Sequence, residues 1–249
     1  MKCYSNVMGS SISMSTDPTL REALAALVQV ASLRVVLECG TFEGTGSTRL
    51  LAEIFEGISK PDRFVTIEAN WRSWRRARAN LRPFAFVEPV WGCSLRRADA
   101  CAFIRSDEAL LSHERYPDVF IDHVEDPVWF YLREIEGRLG GGQRNPLYWL
   151  PKLIDYVCCY RGEGLLEKYL AEFRCRCPLI LLDSSGGTGW LEFMQVERIM
   201  DAEPYVLLLD DIQHVKHFRS YQKIQSDSSY HMVAQNVAAG WALATRHFS

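Results

Sequence analysis

The chain has 249 residues, 48% of them hydrophobic, and carries 28 basic against 31 acidic side chains for a formal charge of -3. That is enough apolar material for one large α/β domain or two small ones, and it excludes a disordered chain. The near-neutral balance supplies no overall field for gripping nucleic acid, and no apolar stretch approaches the length of a membrane span, so neither partner is expected.

Residues 1–15 are rich in Ser and Met without periodicity and read as a loose arm. Lys2 is followed by no apolar block, so no signal peptide is expected and a cytoplasmic location follows by default. In TDPTLREALAALVQVAS, Asp17 is a candidate N-cap and Pro18 stands at the first helical position. Leu20, Leu24, Leu27 and Val28 form one stripe, the pattern of an amphipathic helix. The arm and this helix make an N-terminal segment over 1–33, and an α/β domain is expected over 34–249.

From Arg34 onward, short apolar runs alternate with helical stretches. RVVLE precedes STRLLAEIFEGI, RFVTIEA precedes WRSWRRARANL, and AFVEPVW precedes a polar helix near 97–104. The spacing of Trp71 and Trp74, with Leu81 beyond, predicts a buried stripe. Arg72, Arg75, Arg76, Arg78 and Arg82 then fall on a solvated face, a reading preferred over a grip on RNA.

The middle, about 105–177, breaks the alternation and reads as a mainly helical insertion. YPDVFIDH suggests a short strand ending at Asp122, EDPVWFYLREIEG a helix, and RLGGGQRNPLYW a glycine-rich loop before PKLIDYVCCY and GLLEKYLAEF. The segment is aromatic enough for a lid over a site, and equally suits a surface decoration. Alternation then resumes with PLILLD, a helix near 189–200, YVLLLDD, a helix near 215–224, and the runs YHMVAQNV and GWALATRHF. PLILLD is preferred over YPDVFIDH as the fourth strand because a single helix then links it to the fifth.

Apolar strands separated by helices indicate a parallel sheet covered on both faces. The last two strands are joined only by residues around Ala238, Ala239 and Gly240, too few for a crossover, so they form an antiparallel pair. The expected fold is Rossmann-like and doubly wound, a mostly parallel seven-stranded sheet with an antiparallel C-terminal pair. The eight cysteines show no CxxC spacing and read as reduced thiols, not a zinc knuckle.

The first strand hands over to its helix through ECGTFEGTGS. In a parallel sheet ligands bind at the carboxyl ends of strands, and glycines let backbone approach a ligand or take positive φ. A tight turn capped by Ser47 or Thr45 would use the same residues. Glycines at 40, 44 and 46 do not have the GxGxxG register of a dinucleotide fold.

VVLECGTFEGTGSTRLLAEIF resembles the first motif of class I S-adenosylmethionine-dependent methyltransferases, above all the small-molecule O-methyltransferase branch, whose version runs ExGxxxGxS. The resemblance rests on Glu38, Gly40, Gly44 and then Gly46 or Ser47, and covers the sheet-forming parts near 34–96 and 178–246 but not the middle. It implies that Gly40, Thr41, Gly44, Gly46 and Ser47 hold the methionine end of S-adenosylmethionine and that Glu38 contacts its amino group, often through water. The third strand ends WGCS, similar to the family's G-acidic-S tip, which implies adenine beside Cys93 and Ser94 with Cys93 standing where an acid is usual.

Independently, RFVTIEA places Glu68, followed by Ala69, at the tip of the second strand, where a carboxylate can accept two hydrogen bonds from ribose hydroxyls. Dinucleotide enzymes share that feature. Asp183 ends the fourth strand, and Asp210 and Asp211 end the fifth. Three carboxylates at neighbouring tips suit Mg2+ or another divalent cation, unless they only cap turns and helices. The metal-dependent O-methyltransferases show a similar acidic pattern, which implies a metal that activates a substrate hydroxyl. Asp183 is also set among the cofactor contacts, and with His214, a candidate proton acceptor, makes up the candidate catalytic pair. His214 and His217 with two aspartates are an alternative zinc or iron set.

The resulting expectation is an S-adenosylmethionine-dependent methyltransferase acting on an oxygen of a small-molecule acceptor, with metal assistance. Two alternatives stand beside it: a noncatalytic nucleoside- or partner-binding module on the same fold, and an NAD(P)-dependent oxidoreductase disfavoured by the glycine register. The acceptor and the oligomeric state, a homo-oligomer included, stay open.

Overall fold

The computed structural model of the chain describes residues 14–31, 33–135, 162–184 and 186–248. The arm before Met14, the loop RLGGGQRNPLYW and the stretch PKLIDYVCCY lie outside the described residues.

Seven strands form one sheet in the order β3-β2-β1-β4-β5-β7-β6. They are β1 (Val35–Cys39), β2 (Arg63–Glu68), β3 (Val87–Trp91), β4 (Leu179–Leu182), β5 (Tyr205–Leu209), β6 (Tyr230–Asn236) and β7 (Trp241–Arg246). The first five run parallel, while β7 is antiparallel to both β5 and β6. This is a doubly wound Rossmann-like fold closed by an antiparallel C-terminal pair. The central strands β1, β4 and β5 are buried throughout because helices cover both faces, hence their unbroken apolar runs. The strand order reverses between β1 and β4, and the crevice above that point is where such sheets take ligands.

Successive residues of a strand serve opposite faces. Val36, Leu181 and Leu208 pack under α1 (Pro18–Val30), α2 (Ser47–Ile58) and α3 (Trp71–Asn80). Leu37, Ile180 and Leu207 serve the other face. The helices in sequence between β3 and β4 are α4 (Arg97–Ser106), α5 (Glu108–Leu111), α6 (Pro127–Ile135) and α7 (Leu165–Phe173), followed by α8 (Gly189–Ile199) and α9 (Phe218–Ser226). Of these, α7, α8 and α9 cover the second face. No helix among the described residues is long and apolar enough to cross a membrane.

The helix α1 follows its sequence pattern, burying Leu20, Leu24, Leu27 and Val28. Its cap does more than end a helix. Asp17 Oδ1 accepts the Thr19 amide at 2.9 Å, while Oδ2 accepts Trp241 Nε1 and Asn236 Nδ2, each at 2.8 Å. One carboxylate therefore starts the first helix and pins it to the last hairpin, satisfying an indole N–H on a tryptophan with no solvent exposure.

Three expectations need correction. YPDVFIDH forms no strand of the sheet: Phe120 makes one isolated bridge to His214, so the segment does not compete with β4. Trp71 and Trp74 are only half-buried, and Ala77 is the buried residue of α3. The reason is that α3 lies on β3, the sheet's edge, where Trp74 stacks on Trp91 at 5.5 Å and Arg78 lies 5.0 Å over Trp74. The last helix starts at Phe218, not near Val215, because residues 212–217 are committed to a loop whose Val215 amide bonds Phe120.

Within the middle of the chain, α7 buries Leu165, Leu166, Tyr169, Leu170 and Phe173 against the sheet. It is thus the crossover helix that leads into β4. The helices α4, α5 and α6 build a separate small core of Ile104, Leu110, Ile121 and Tyr131 that closes on Val215 and Phe218. Arg219 ties the two parts together with a two-pronged ion pair to Asp107 at 2.5 and 2.7 Å.

Replacing Asp17 by alanine should destabilise the protein by about 2 kcal/mol in urea unfolding, since it removes a cap and strands the buried Trp241 N–H. Asn236→Ala, which leaves the cap and the indole bond in place, should cost clearly less, and equal costs would refute the assignment.

Candidate active site

The first corner, residues 40–46, is shaped by protein packing before any ligand is considered. Gly40 has φ +101, and a Cβ there would lie 2.1 Å from the Asp183 carbonyl oxygen, so the chain crosses the tip of β4 where only glycine fits. Gly44, at φ +68, is pressed against Leu81, the C-cap of α3. Gly46 differs: among the described residues a Cβ would meet only Ser15 Oγ, at 4.0 Å. Gly46 itself occupies the N-cap of α2, and among the described residues no side chain caps that helix, so neither Ser47 nor Thr45 plays that part. Uncapped first-turn amides facing an open corner are suited to a polar or anionic ligand group.

Ser47 turns inward and donates to Glu38 Oε1 at 2.8 Å, while Thr66 donates to Oε2 at 2.6 Å. Thr41 joins the network through Thr66 at 2.5 Å. Glu38 has no exposed surface, and burial pushes its carboxyl above the ordinary range. It braces the corner from beneath, with its own surface closed off by the hydroxyls around it.

Glu68 does turn toward the corner. Its Oε2 accepts the Phe42 amide at 2.7 Å and its Oε1 the Asn70 amide at 2.6 Å. Two backbone donors fix the carboxylate at the tip of β2. Phe42 is held at φ 51 with its ring 66% exposed, a wall of the corner that the sequence reading passed over. Beside Glu68, the Ala69 carbonyl accepts Trp91 Nε1 at 3.1 Å. At the tip of β3 the Cys93 amide donates to Gly162 at 2.8 Å, and the Leu165 and Leu166 amides donate to Cys93 and Ser94. The Ser94 and Ser184 hydroxyls both donate to Glu192 Oε1. Glu192 is fully buried, and that burial raises its carboxyl.

Asp183, Asp210 and Asp211 converge as expected, each offering an oxygen within 4.8 Å of the others. What the sequence did not reveal is Lys216 in their midst. Its Nζ lies 2.8 Å from Asp211 Oδ2 and 3.2 Å from Asp183 Oδ1, and the residue is 5% exposed. Burial alone would lower the ammonium, but Asp183, Asp211 and Asp210 reverse that and hold it above the ordinary lysine range. Burial pushes Asp183 up to about 6, with Lys216 opposing it. Asp210 rises to about 8 through burial and the neighbouring Asp183 and Asp211. Residues whose acidity suits a divalent ion thus already hold a cation of the chain's own, and the trio as folded does not fit an added metal.

His214 is buried, and Nδ1 accepts the Lys216 amide at 3.2 Å, so the proton is assigned to Nε2, which meets Asp122 Oδ2 at 3.1 Å. Tyr131 donates to the same Asp122 oxygen at 3.0 Å. The His214 hydrogen bond holds Asp122 below the usual carboxylate range. With both ring nitrogens engaged, His214 links the insertion to the Lys216 loop and has no free lone pair for a substrate proton. His217 is fully buried and kept neutral by that burial. Among the described residues, the two histidines join no metal-ligating group.

Among solved structures, the chain is similar to an O-methyltransferase from Bacillus cereus in complex with SAH, at 18% identity over 92% of this chain and 81% of that one, with TM-score 0.47. It is also similar to the O-methyltransferase TomG from Streptomyces achromogenes, involved in tomaymycin synthesis and solved with SAM, at 14% identity over 92% and 78%, with TM-score 0.44. No family model matches the chain, and neither does any curated protein. At these values the fold assignment rests on the strand order itself.

Because the folded carboxyls of Asp183 and Asp210 sit above their unfolded values, the fold holds extra protons near neutrality. That contribution to stability is complete below about pH 4 and is lost as pH rises through about 6 and then about 8. The thermal midpoint should therefore fall between about pH 5 and about pH 9, and Asp210→Asn should flatten the upper part of the slope. A wild-type midpoint that climbs over this range would contradict the site's electrostatics.

Proposed function

We propose that the chain is an S-adenosylmethionine-dependent methyltransferase acting on an oxygen of a small-molecule acceptor. The observation that carries this reading is the Glu68 carboxylate, fixed by two backbone amides and turned into the corner beside the uncapped start of α2. The corner lies at the point where the strand order reverses. Glu68 would hold the ribose hydroxyls, and Gly46 with the first-turn amides of α2 would hold the amino-acid end. The cofactor, when bound, supplies a methyl group already activated on a sulfonium.

The chain's own residues would then supply alignment and charge. Asp183, Asp210 and Asp211 line the adjoining tips, and negative charge there favours a cationic sulfur. Asp183, with a carboxyl near 6, is mostly ionised at neutral pH and has the basicity to take a hydroxyl proton, while Asp210, near 8, mostly keeps its own. No metal step is included, because Lys216 Nζ already occupies the oxygens such an ion would need. His214 has no role as base in this scheme. The core of α4, α5 and α6 adjoins the loop bearing Lys216, which supports a role for the insertion in acceptor choice.

In calorimetry, S-adenosylhomocysteine should bind and Glu68→Ala should weaken it by about 10- to 100-fold, the effect of losing hydrogen bonds to a charged partner. Unchanged affinity, or NADH binding more tightly than S-adenosylhomocysteine, would overturn the reading.

A further inference from the structure

The acidic trio looks, from its carboxylates alone, like a divalent-cation site, yet its geometry is already satisfied from within. The nearest contacts of Lys216 Nζ are Asp211 Oδ2 at 2.8 Å and Asp183 Oδ1 at 3.2 Å, on the tips of two neighbouring strands. A Mg2+ or Mn2+ ion bound to those same oxygens at its ordinary distance of about 2.1 Å would sit against the ammonium, with like charges in a half-buried site. Either the ion or the lysine must leave.

The backbone that carries the lysine is held in place. Its backbone amide is bonded to His214 Nδ1, and the next residue on each side, Val215 and His217, has no solvent exposure. The Val215 amide is bonded to the Phe120 carbonyl at 3.0 Å, and the His214 ring is held by Asp122. The loop is therefore clamped from the insertion on one side and by the core on the other. Asp211, which starts it, is held at φ 53, so the turn that aims Lys216 inward is built at a conformational cost.

We infer that Lys216 is the resident cation of this site: its ammonium stands in the place of a divalent ion, and the acidic trio of this chain does not bind Mg2+ or Mn2+. The ligand class the mouth accepts is accordingly cationic or neutral organic groups, with the lysine offering one fixed positive point among three acids. The inference goes beyond methyl transfer and does not rest on it, since its readout is ion binding.

The test is a Mn2+ titration followed by electron paramagnetic resonance on the full chain. Wild type should show no saturable binding up to about one millimolar. Lys216→Met, which keeps the length and apolar stem but removes the charge, should gain a single site at least about tenfold tighter, and adding Asp210→Asn should abolish it. Wild-type protein that binds one Mn2+ at micromolar concentrations, and loses it on Asp210→Asn, would overturn the inference. A folded Lys216→Met protein with no gain would overturn it too. If that variant does not fold, the wild-type titration decides alone, with saturable binding refuting and its absence supporting.

Discussion

The rest of the structure is organised around one constraint, the crowding of carboxylates at the carboxyl edge of a parallel sheet. Glu38, Asp183, Glu192, Asp210 and Asp211 all gather there, with Glu68 at the rim. Removing such groups from water costs several kcal/mol each unless something compensates. The chain compensates in three ways. Hydroxyls from Ser47 and Thr66 serve Glu38, and those of Ser94 and Ser184 serve Glu192. Lys216 serves Asp183 and Asp211. Asp210, without a cation in contact, keeps its proton close to neutral pH.

These solutions also place the loops. Ser47 is drawn inward to Glu38, which leaves Gly46 at the N-cap of α2. Ser94 and Ser184 reach Glu192 from the tips of β3 and β4, so the rims of the crevice are set by one buried acid. His214 and Asp122 carry the arrangement outward to the insertion. A single electrostatic problem thus links the corner after β1 to the helices of the insertion.

Much of this was legible in the sequence where local chemistry decides. Asp17 and Pro18 announce α1, and the uninterrupted VVL, LILL and VLLL runs announce central strands covered on both faces. Glu68 could be placed because a strand tip is one residue wide. What stayed hidden depends on contacts between distant segments. Nothing in the spacing says that Gly40 is required by the Asp183 carbonyl, or that a lysine five positions past Asp211 folds back onto it. The turn at Asp211 and the clamp from Phe120 decide that, and both are tertiary. Trp71 and Trp74 misled because helical periodicity reports a face, not whether the strand beneath is central or at the edge.

The backbone bonds joining Cys93 to Gly162 and Leu165, and Ser94 to Leu166, make a clasp: the chain departs from the sheet and comes back to it within one peptide's width. Whatever is threaded between those two points is grafted on a closed ring, and lengthening such a ring adds little to its closure entropy. Extra length between those two points is therefore cheap for the sheet, whereas the helices that lean on Val215, Phe218 and Arg219 are bound to the scaffold by side chains.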